Sequence, residues 1–172
     1  ASAPGVKTSL TFTGPGDVGA TITAGAKAVN ITGGTAADTI IGSQANDTIT
    51  GGANASASVA VNDSIDAGAG NDVINFVNIG DTIQGGAGVK DSLSVNVAYA
   101  AALDADANLD GVEIININNG QTAVAAFASD FTAQTEGFAI NIVATPLSGN
   151  ESVTGSAGDD TIIGSAGSDS IV

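Results

Sequence analysis

Histidine, cysteine, methionine, tryptophan and arginine are all missing from this chain of 172 residues, and each absence closes a class of function. Without cysteine there is no disulfide framework, no thiolate zinc site and no cysteine nucleophile. Without histidine the commonest general base and the usual transition-metal ligand are gone. The basic residues are three lysines, Lys7, Lys27 and Lys90, against 18 acidic residues, for a formal net charge of −15. Phosphates cannot be neutralised in number, so nucleic acid is excluded as a partner and anionic membrane surfaces are disfavoured. No apolar run approaches the roughly 20 residues of a membrane span, so direct membrane insertion is not expected. The start lacks a charged segment followed by an apolar core. With no methionine anywhere, Ala1 reads as the edge of a processed chain or of an excised piece. Aromatic platforms for sugars are scarce, with Tyr99 and five phenylalanines. The chain is not expected to be an enzyme. A two-carboxylate glycosidase is the hydrolytic chemistry that the composition leaves open.

What is present is glycine, small β-forming residues and carboxylate. A compact body this acidic repels itself, and bound cations are the natural remedy. The available donors are hard oxygens, namely carboxylates, Asn, Ser and Thr side chains and backbone carbonyls, which suit calcium. They are not scattered. A nine-residue unit runs from about Gly33 to Ser94 and returns from Gly155 to Val172. Its clearest copies are Gly155-Ser-Ala-Gly158-Asp159-Asp160-Thr-Ile162-Ile and Gly164-Ser-Ala-Gly167-Ser-Asp169-Ser-Ile171-Val172. A glycine-rich turn is followed by aspartate at the sixth place and a large aliphatic at the eighth. Six residues make a turn and three a short strand, so two units close one coil of about eighteen residues. The eighth-place aliphatic then points inward and stacks on its neighbours. The fold expected is all-β, a right-handed parallel β-roll or β-helix solenoid with an irregular β insertion.

Four segments follow. Residues 1–32 form an N-terminal strand, over residues 6–12, and capping coils. Ile22, Ile31, Ile40 and Ile49 lie nine apart, but Ala20 and Val29 stand where aspartate belongs, so the first two turns keep the shape and lose the ligand. Residues 33–94 are the regular roll, interrupted by seven extra residues after Gly51-Gly52, by lost glycines before Gly80-Asp81, and by one extra residue before Asp91. That extra residue is expected to displace the Asp91 carboxylate. Residues 95–148 break the pattern and read as a wider β-coil or a small β insertion. It has strands from Val112 and from Ala139, and a loop or short helix over residues 122–134. Residues 149–172 resume the roll, with Glu151 in the aspartate place, and end unpaired. An open end of this kind offers backbone groups to another chain.

Adjacent units put their aspartates on opposite edges. Asp38, Asp63 and Asp81 stack on one edge, Asp47, Asp72 and Asp91 on the other, about one strand spacing (~4.8 Å) apart. In the last run Glu151 faces Asp169, while Asp160 has no partner in the chain. Unbridged, such carboxylates repel; bridged by a divalent cation whose shell of 6–8 oxygens is filled by turn carbonyls, they become staples. Asn-Asp and Gly-Asp are ordinary turn dipeptides, but eight units carrying an aspartate in phase with the aliphatic are not accounted for by turns alone. A second candidate is Asp106-Ala-Asn108-Leu-Asp110-Gly111, which matches the start of a calcium loop but carries Ile117 at the twelfth place instead of glutamate. Asp104, Glu113 and Asp130 read as surface residues.

These units resemble the RTX (repeats-in-toxin) calcium-binding β-roll family. The resemblance implies calcium ions as the cofactor. Its ligands would be Asp38, Asp47, Asp63, Asp72, Asp81, Asp91, Asp160 and Asp169, with turn carbonyls around Gly33, Gly42, Gly51, Gly68, Gly70, Gly85, Gly155 and Gly164. Glu151, Asp106, Asn108 and Asp110 would be weaker ligands. It implies export by type I secretion from a Gram-negative bacterium and folding in external calcium. The Ala, Thr, Val, Asn and Gly content, with few lysines and aromatics, resembles the surface-layer (S-layer) type of RTX protein. The expected function is therefore a calcium-stabilised structural protein of a bacterial surface layer or extracellular filament, self-assembling outside the cell. Its partners would be copies of itself, with cell-surface polysaccharide as a further candidate. The alternative is an RTX accessory or adhesin module of a secreted hydrolase or adhesin.

Overall fold

The computed structural model describes residues 8–11, 18–52, 62–75, 80–96, 109–118, 128–132, 134–142, 152–164 and 168–172. Among them there is no helix, and every strand pairing is parallel. The chain alternates between two faces of a β-solenoid. Odd-numbered strands form one eight-stranded sheet: β1 (Thr8–Thr11), β3 (Val29–Thr32), β5 (Thr48–Thr50), β7 (Val73–Asn75), β9 (Ser92–Asn96), β11 (Ile114–Asn118), β13 (Ala139–Ile142) and β15 (Thr161–Ile163). Opposite them lie β2 (Thr21–Thr23), β4 (Thr39–Ser43), β6 (Ser64–Gly68), β8 (Thr82–Gln84) and β10 (Leu109–Asp110) in one sheet. A further sheet holds β12 (Ala128–Asp130), β14 (Ser152–Thr154) and β16 (Ser170–Ile171).

The register follows the hydrophobic repeat. Ile31, Ile49, Ile74, Leu93, Ile115 and Ile140 are successive partners across the long sheet, and Ile22, Ile40, Ile65, Ile83 and Leu109 across the other. All are buried. Side chains alternate between the faces of a strand, so a three-residue strand sends only its middle residue inward. That is why the sequence spaces its aliphatics nine apart and surrounds them with Thr, Ser and Asn.

The core thickens in the stretch 95–148. β11 lies between β9 and β13 in the same sheet. Strands of four or five residues bring a second buried aliphatic inward, with Val95 paired to Ile117 and Ile117 to Ile142. Phe131 and Phe138 fill the wider interior, their ring centroids 5.9 Å apart and their planes tilted by 54°. Two local expectations need correction. Residues 128–130, expected in a loop or short helix, form β12, which pairs with β14. The strand expected from Val112 begins at Ile114, which moves Glu113 into the turn before it.

Candidate metal centre

Each turn delivers its sixth residue inward. Asp38, Asp47, Asp63, Asp72, Asp81 and Asp91 are between 0 and 4% exposed. Their carboxylates form two ladders. On one edge Oδ1 of Asp38 accepts Ala20 N at 2.7 Å, Asp63 Oδ1 accepts Asp38 N at 2.8 Å, and Asp81 Oδ1 accepts Asp63 N at 2.9 Å. On the other edge Oδ1 of Asp47 accepts Val29 N at 2.8 Å, Asp72 Oδ1 accepts Asp47 N at 2.6 Å, and Asp91 Oδ1 accepts Asp72 N at 2.7 Å. Ala20 and Val29 thus occupy the aspartate place of the first coils and donate to the ladder without adding a carboxylate.

Insertions leave the ladders intact. The rungs join residues 18 apart at Asp63–Asp81 but 25 apart at Asp47–Asp72. The residue added before Asp91 does not displace its carboxylate, which is fully buried. The surplus is extruded instead: Val89 is 75% exposed and Lys90 is also exposed.

The second carboxylate oxygen faces the glycines of its own turn. Asp38 Oδ2 accepts Gly34 N at 2.6 Å, Asp47 Oδ2 accepts Ser43 N at 2.5 Å, and Asp160 Oδ2 accepts Ser156 N at 2.7 Å. A methyl group on Gly33, Gly42 or Gly51 would meet the Oδ2 of Asp38, Asp47 or Asp63 at 2.7, 2.9 and 2.6 Å. On Gly155, Gly164 and Gly88 it would strike the Oδ2 of Asp160, Asp169 and Asp91. The glycines therefore keep a small oxygen-lined space clear. Gly68 and Gly70, with φ of 97° and 131°, supply turn geometry that L side chains rarely adopt.

Ser43 and Ser156 also bind the carboxylates, their Oγ donating to Asp47 Oδ1 at 3.0 Å and Asp160 Oδ1 at 2.9 Å. The signal in the sequence is the serine at the second place of the unit. Asn46 makes an outer rung, its Oδ1 accepting Asn71 N at 3.0 Å. In an Asn-Asp pair, one side chain therefore bonds outside and the other inside.

Other candidates are placed differently. Asp160 is half-buried, and its Oδ1 accepts Phe138 N at 2.8 Å, so an aromatic residue occupies the neighbouring turn place. Asp169 is half-buried, in a coil where Ser170 pairs with Ser152. Asp110 is exposed at the end of β10, paired with Gln84. Asp130 is exposed, and hydrogen bonds from Thr132 hold its carboxyl below the usual range. Asp104, Asp106, Asn108 and Glu151 lie outside the described residues. Glu113, expected as a surface residue, is instead a ladder member: its Oε2 accepts Asp91 N at 2.7 Å.

The electrostatics are costly without a counter-ion. Two unit charges roughly 4.8 Å apart repel by about 3 kcal/mol at an effective dielectric of about 20. A hydrogen bond to a charged group returns about 1.5–3 kcal/mol. A carboxylate with like charge on both sides is left in deficit. Burial accordingly pushes Asp63 up to about 6, with the hydrogen bond from Asp38 N opposing and the charges of Asp81 and Asp38 adding to the rise. Burial also raises Asp91, against the hydrogen bond from Asp72 N. Lys27 and Lys90 are exposed.

Because the folded protein holds the Asp63 proton more tightly than the unfolded chain, its stability rises as pH falls from about 6 towards 3.8. That contribution is lost as pH rises through about 6. In EDTA, far-UV circular dichroism should show more sheet signal at about pH 4.5, inside that window, than at neutral pH. Asp63→Asn should flatten the difference.

The donor set fits calcium. Asp91 Oδ2 is buried with no hydrogen-bond partner, and the glycine-cleared spaces are walled by carboxylate and carbonyl oxygen. Among the described residues no three acidic side chains are grouped as in an all-carboxylate site. An ion at a turn would therefore draw on one or two carboxylates and complete its shell from backbone carbonyls.

Comparison with protein families finds the RTX calcium-binding nonapeptide repeat, in four copies, over residues 21–55, 62–76 and 147–172. No curated protein and no solved structure matches the chain.

Proposed function

From a chain that carries RTX calcium-binding nonapeptide repeats, we propose a calcium-stapled structural segment of a bacterial surface layer or extracellular filament. Two buried carboxylate ladders on a thin aliphatic core carry this reading. Asp38, Asp63 and Asp81 hold ions along one edge, and Asp47, Asp72 and Asp91 along the other, with the carbonyls of their turns. Bound calcium supplies the positive charge that the buried carboxylates lack.

The protein's own part is to keep those oxygens in place. Backbone amides of the preceding coil fix Oδ1, and glycines keep the space beside Oδ2 open. Free calcium is scarce inside cells and plentiful outside, so such a chain travels unfolded and sets into its coils after export. An all-β scaffold of small polar side chains, without cysteine or histidine, suits a rigid extracellular wall or fibre built from copies of itself.

Electron microscopy and sedimentation with millimolar calcium, against the same sample in EGTA, test the assembly. Ordered sheets or filaments that appear only with calcium are expected. Monodisperse monomers under both conditions would leave the chain a calcium-binding module without a structural lattice.

A further inference from the structure

We propose that the outer face of the eight-stranded sheet is the surface through which two copies of this chain pair, sheet against sheet. The proposal rests on the structural reading above and names the face that such an assembly uses.

The observation is where charge is missing. None of the strands β1, β3, β5, β7, β9, β11, β13 and β15 contains an aspartate, glutamate or lysine, in a chain of net charge −15. The strands of the other two sheets carry Asp66, Asp110 and Asp130. The stacked aliphatic points inward, so the residue after it points outward. Across six successive strands those outward residues align as Thr32, Thr50, Asn75, Ser94, Asn116 and Asn141. All are exposed or half-buried. Each side chain both donates and accepts hydrogen bonds, and Asn141 Nδ2 donates to Asn116 Oδ1 at 3.0 Å. Ile163 continues the row on β15 and is 59% exposed; Val73, in the neighbouring column, is 38% exposed.

Charge selects the occupant. A body this acidic repels its own copies, and a cationic partner would be drawn to the carboxylates of the other sheets. The uncharged strip is where two copies approach with least repulsion, and the centre of an interface is where charged side chains are depleted. Both copies present the same strip, so the contact is self-complementary. Side chains that donate and accept suit pairing with themselves, and small ones let two sheets close to about 10 Å. From β3 to β15 the strip runs six strand spacings, or ~29 Å, by a strand of ~10 Å. That footprint of roughly 300 Å² is well under the ~800 Å² per partner of a stable complex. The pairing is therefore weak alone and acts together with the other contacts of an array.

The test places charge on the strip of the full chain, as the double variant Asn75→Asp, Asn116→Asp. The new carboxylate at 116 still accepts Asn141 Nδ2, so the circular dichroism in calcium and the number of ions bound are expected to be unchanged. Like charges set against each other suppress a contact. In sedimentation and electron microscopy at millimolar calcium, the variant should need about tenfold more protein than the wild type to assemble. Salt at about 1 M, which screens beyond about 3 Å, should restore most of the loss. Thr39→Asp, at an exposed place on β4 in another sheet, should assemble as the wild type does. A double variant that assembles at the wild-type concentration, or a Thr39→Asp variant equally impaired, would overturn the proposal and leave the structural reading standing. A wild type that stays monomeric in calcium would defeat both. Should the double variant fail to fold, a nitroxide on Ser94→Cys, in a chain with no other thiol, is expected to broaden on assembly; an unchanged spectrum in assembled material would overturn the proposal.

Discussion

Chelation of calcium by EGTA at neutral pH is expected to abolish the β-sheet signal of coils β2 to β11. The reason is the balance within one coil. Most coils there bury two large aliphatics, such as Ile49 and Ile65, worth about 1.5–3 kcal/mol each. Against this stands about 1–2 kcal/mol of backbone entropy for every residue fixed, in coils whose glycines lose more than most. The ladder then adds repulsion between neighbouring carboxylates. Calcium reverses the sign of that last contribution. A site held at a hundredfold excess over its dissociation constant stabilises the folded chain by about 2.7 kcal/mol. Several such sites together are comparable to the roughly 5–15 kcal/mol by which domains are ordinarily stable. Far-UV circular dichroism should therefore change from sheet to disordered chain on chelation and return when calcium is restored. The coils with the larger interior, β11 to β14 around Phe131 and Phe138, are expected to lose their hydrogen-exchange protection last.

Asp72→Ala is expected to be the most damaging single carboxylate substitution. Asp72 is fully buried in the middle of its ladder; its Oδ1 accepts Asp47 N at 2.6 Å and its own amide donates to Asp91 Oδ1 at 2.7 Å. Alanine leaves the Asp47 amide without its acceptor, at a cost of about 1–3 kcal/mol. It also takes a ligand from the turns on both sides, at about 2.7 kcal/mol for each site lost at a hundredfold excess of calcium. Asp72→Asn separates the two effects. The amide oxygen keeps the rung, so the variant should lose stability in calcium yet match or exceed the wild type in EGTA, where the charge is only a burden. Lys27→Ala, at an exposed side chain, should shift stability by less than about 0.5 kcal/mol. Urea unfolding in calcium, with the far-UV circular dichroism sheet signal compared in EGTA, distinguishes these outcomes.

Much of this is legible in the sequence because one period carries both the core and the ladder. Ile22, Ile31, Ile40 and Ile49 announce the coil, and they pair in alternate steps, Ile22 with Ile40 and Ile31 with Ile49. The division of aspartates between two edges follows from the same count. Less legible is how the solenoid tolerates surplus residues. A single added residue before Asp91 looks damaging because a linear count treats every position alike. The turn is exposed on its outer side, so Val89 and Lys90 bulge into solvent while the inward carboxylate keeps its rung. Glu113 is hidden for a different reason. The apolar run from Val112 suggests a strand start two residues early, and no glycine pair marks the turn. β12 escapes notice because residues 122–134 lack glycine and show no strand alternation; its pairing with β14 comes from the neighbouring coil rather than from its own sequence.

Calcium is expected to lie beside the buried carboxylates along both edges of the solenoid. An anomalous difference map from crystals grown in calcium tests that most directly. It should show peaks at the turns of Asp38, Asp63 and Asp81 on one edge and of Asp47, Asp72 and Asp91 on the other. Density without such peaks, with the carboxylates bound only by backbone amides, would contradict it.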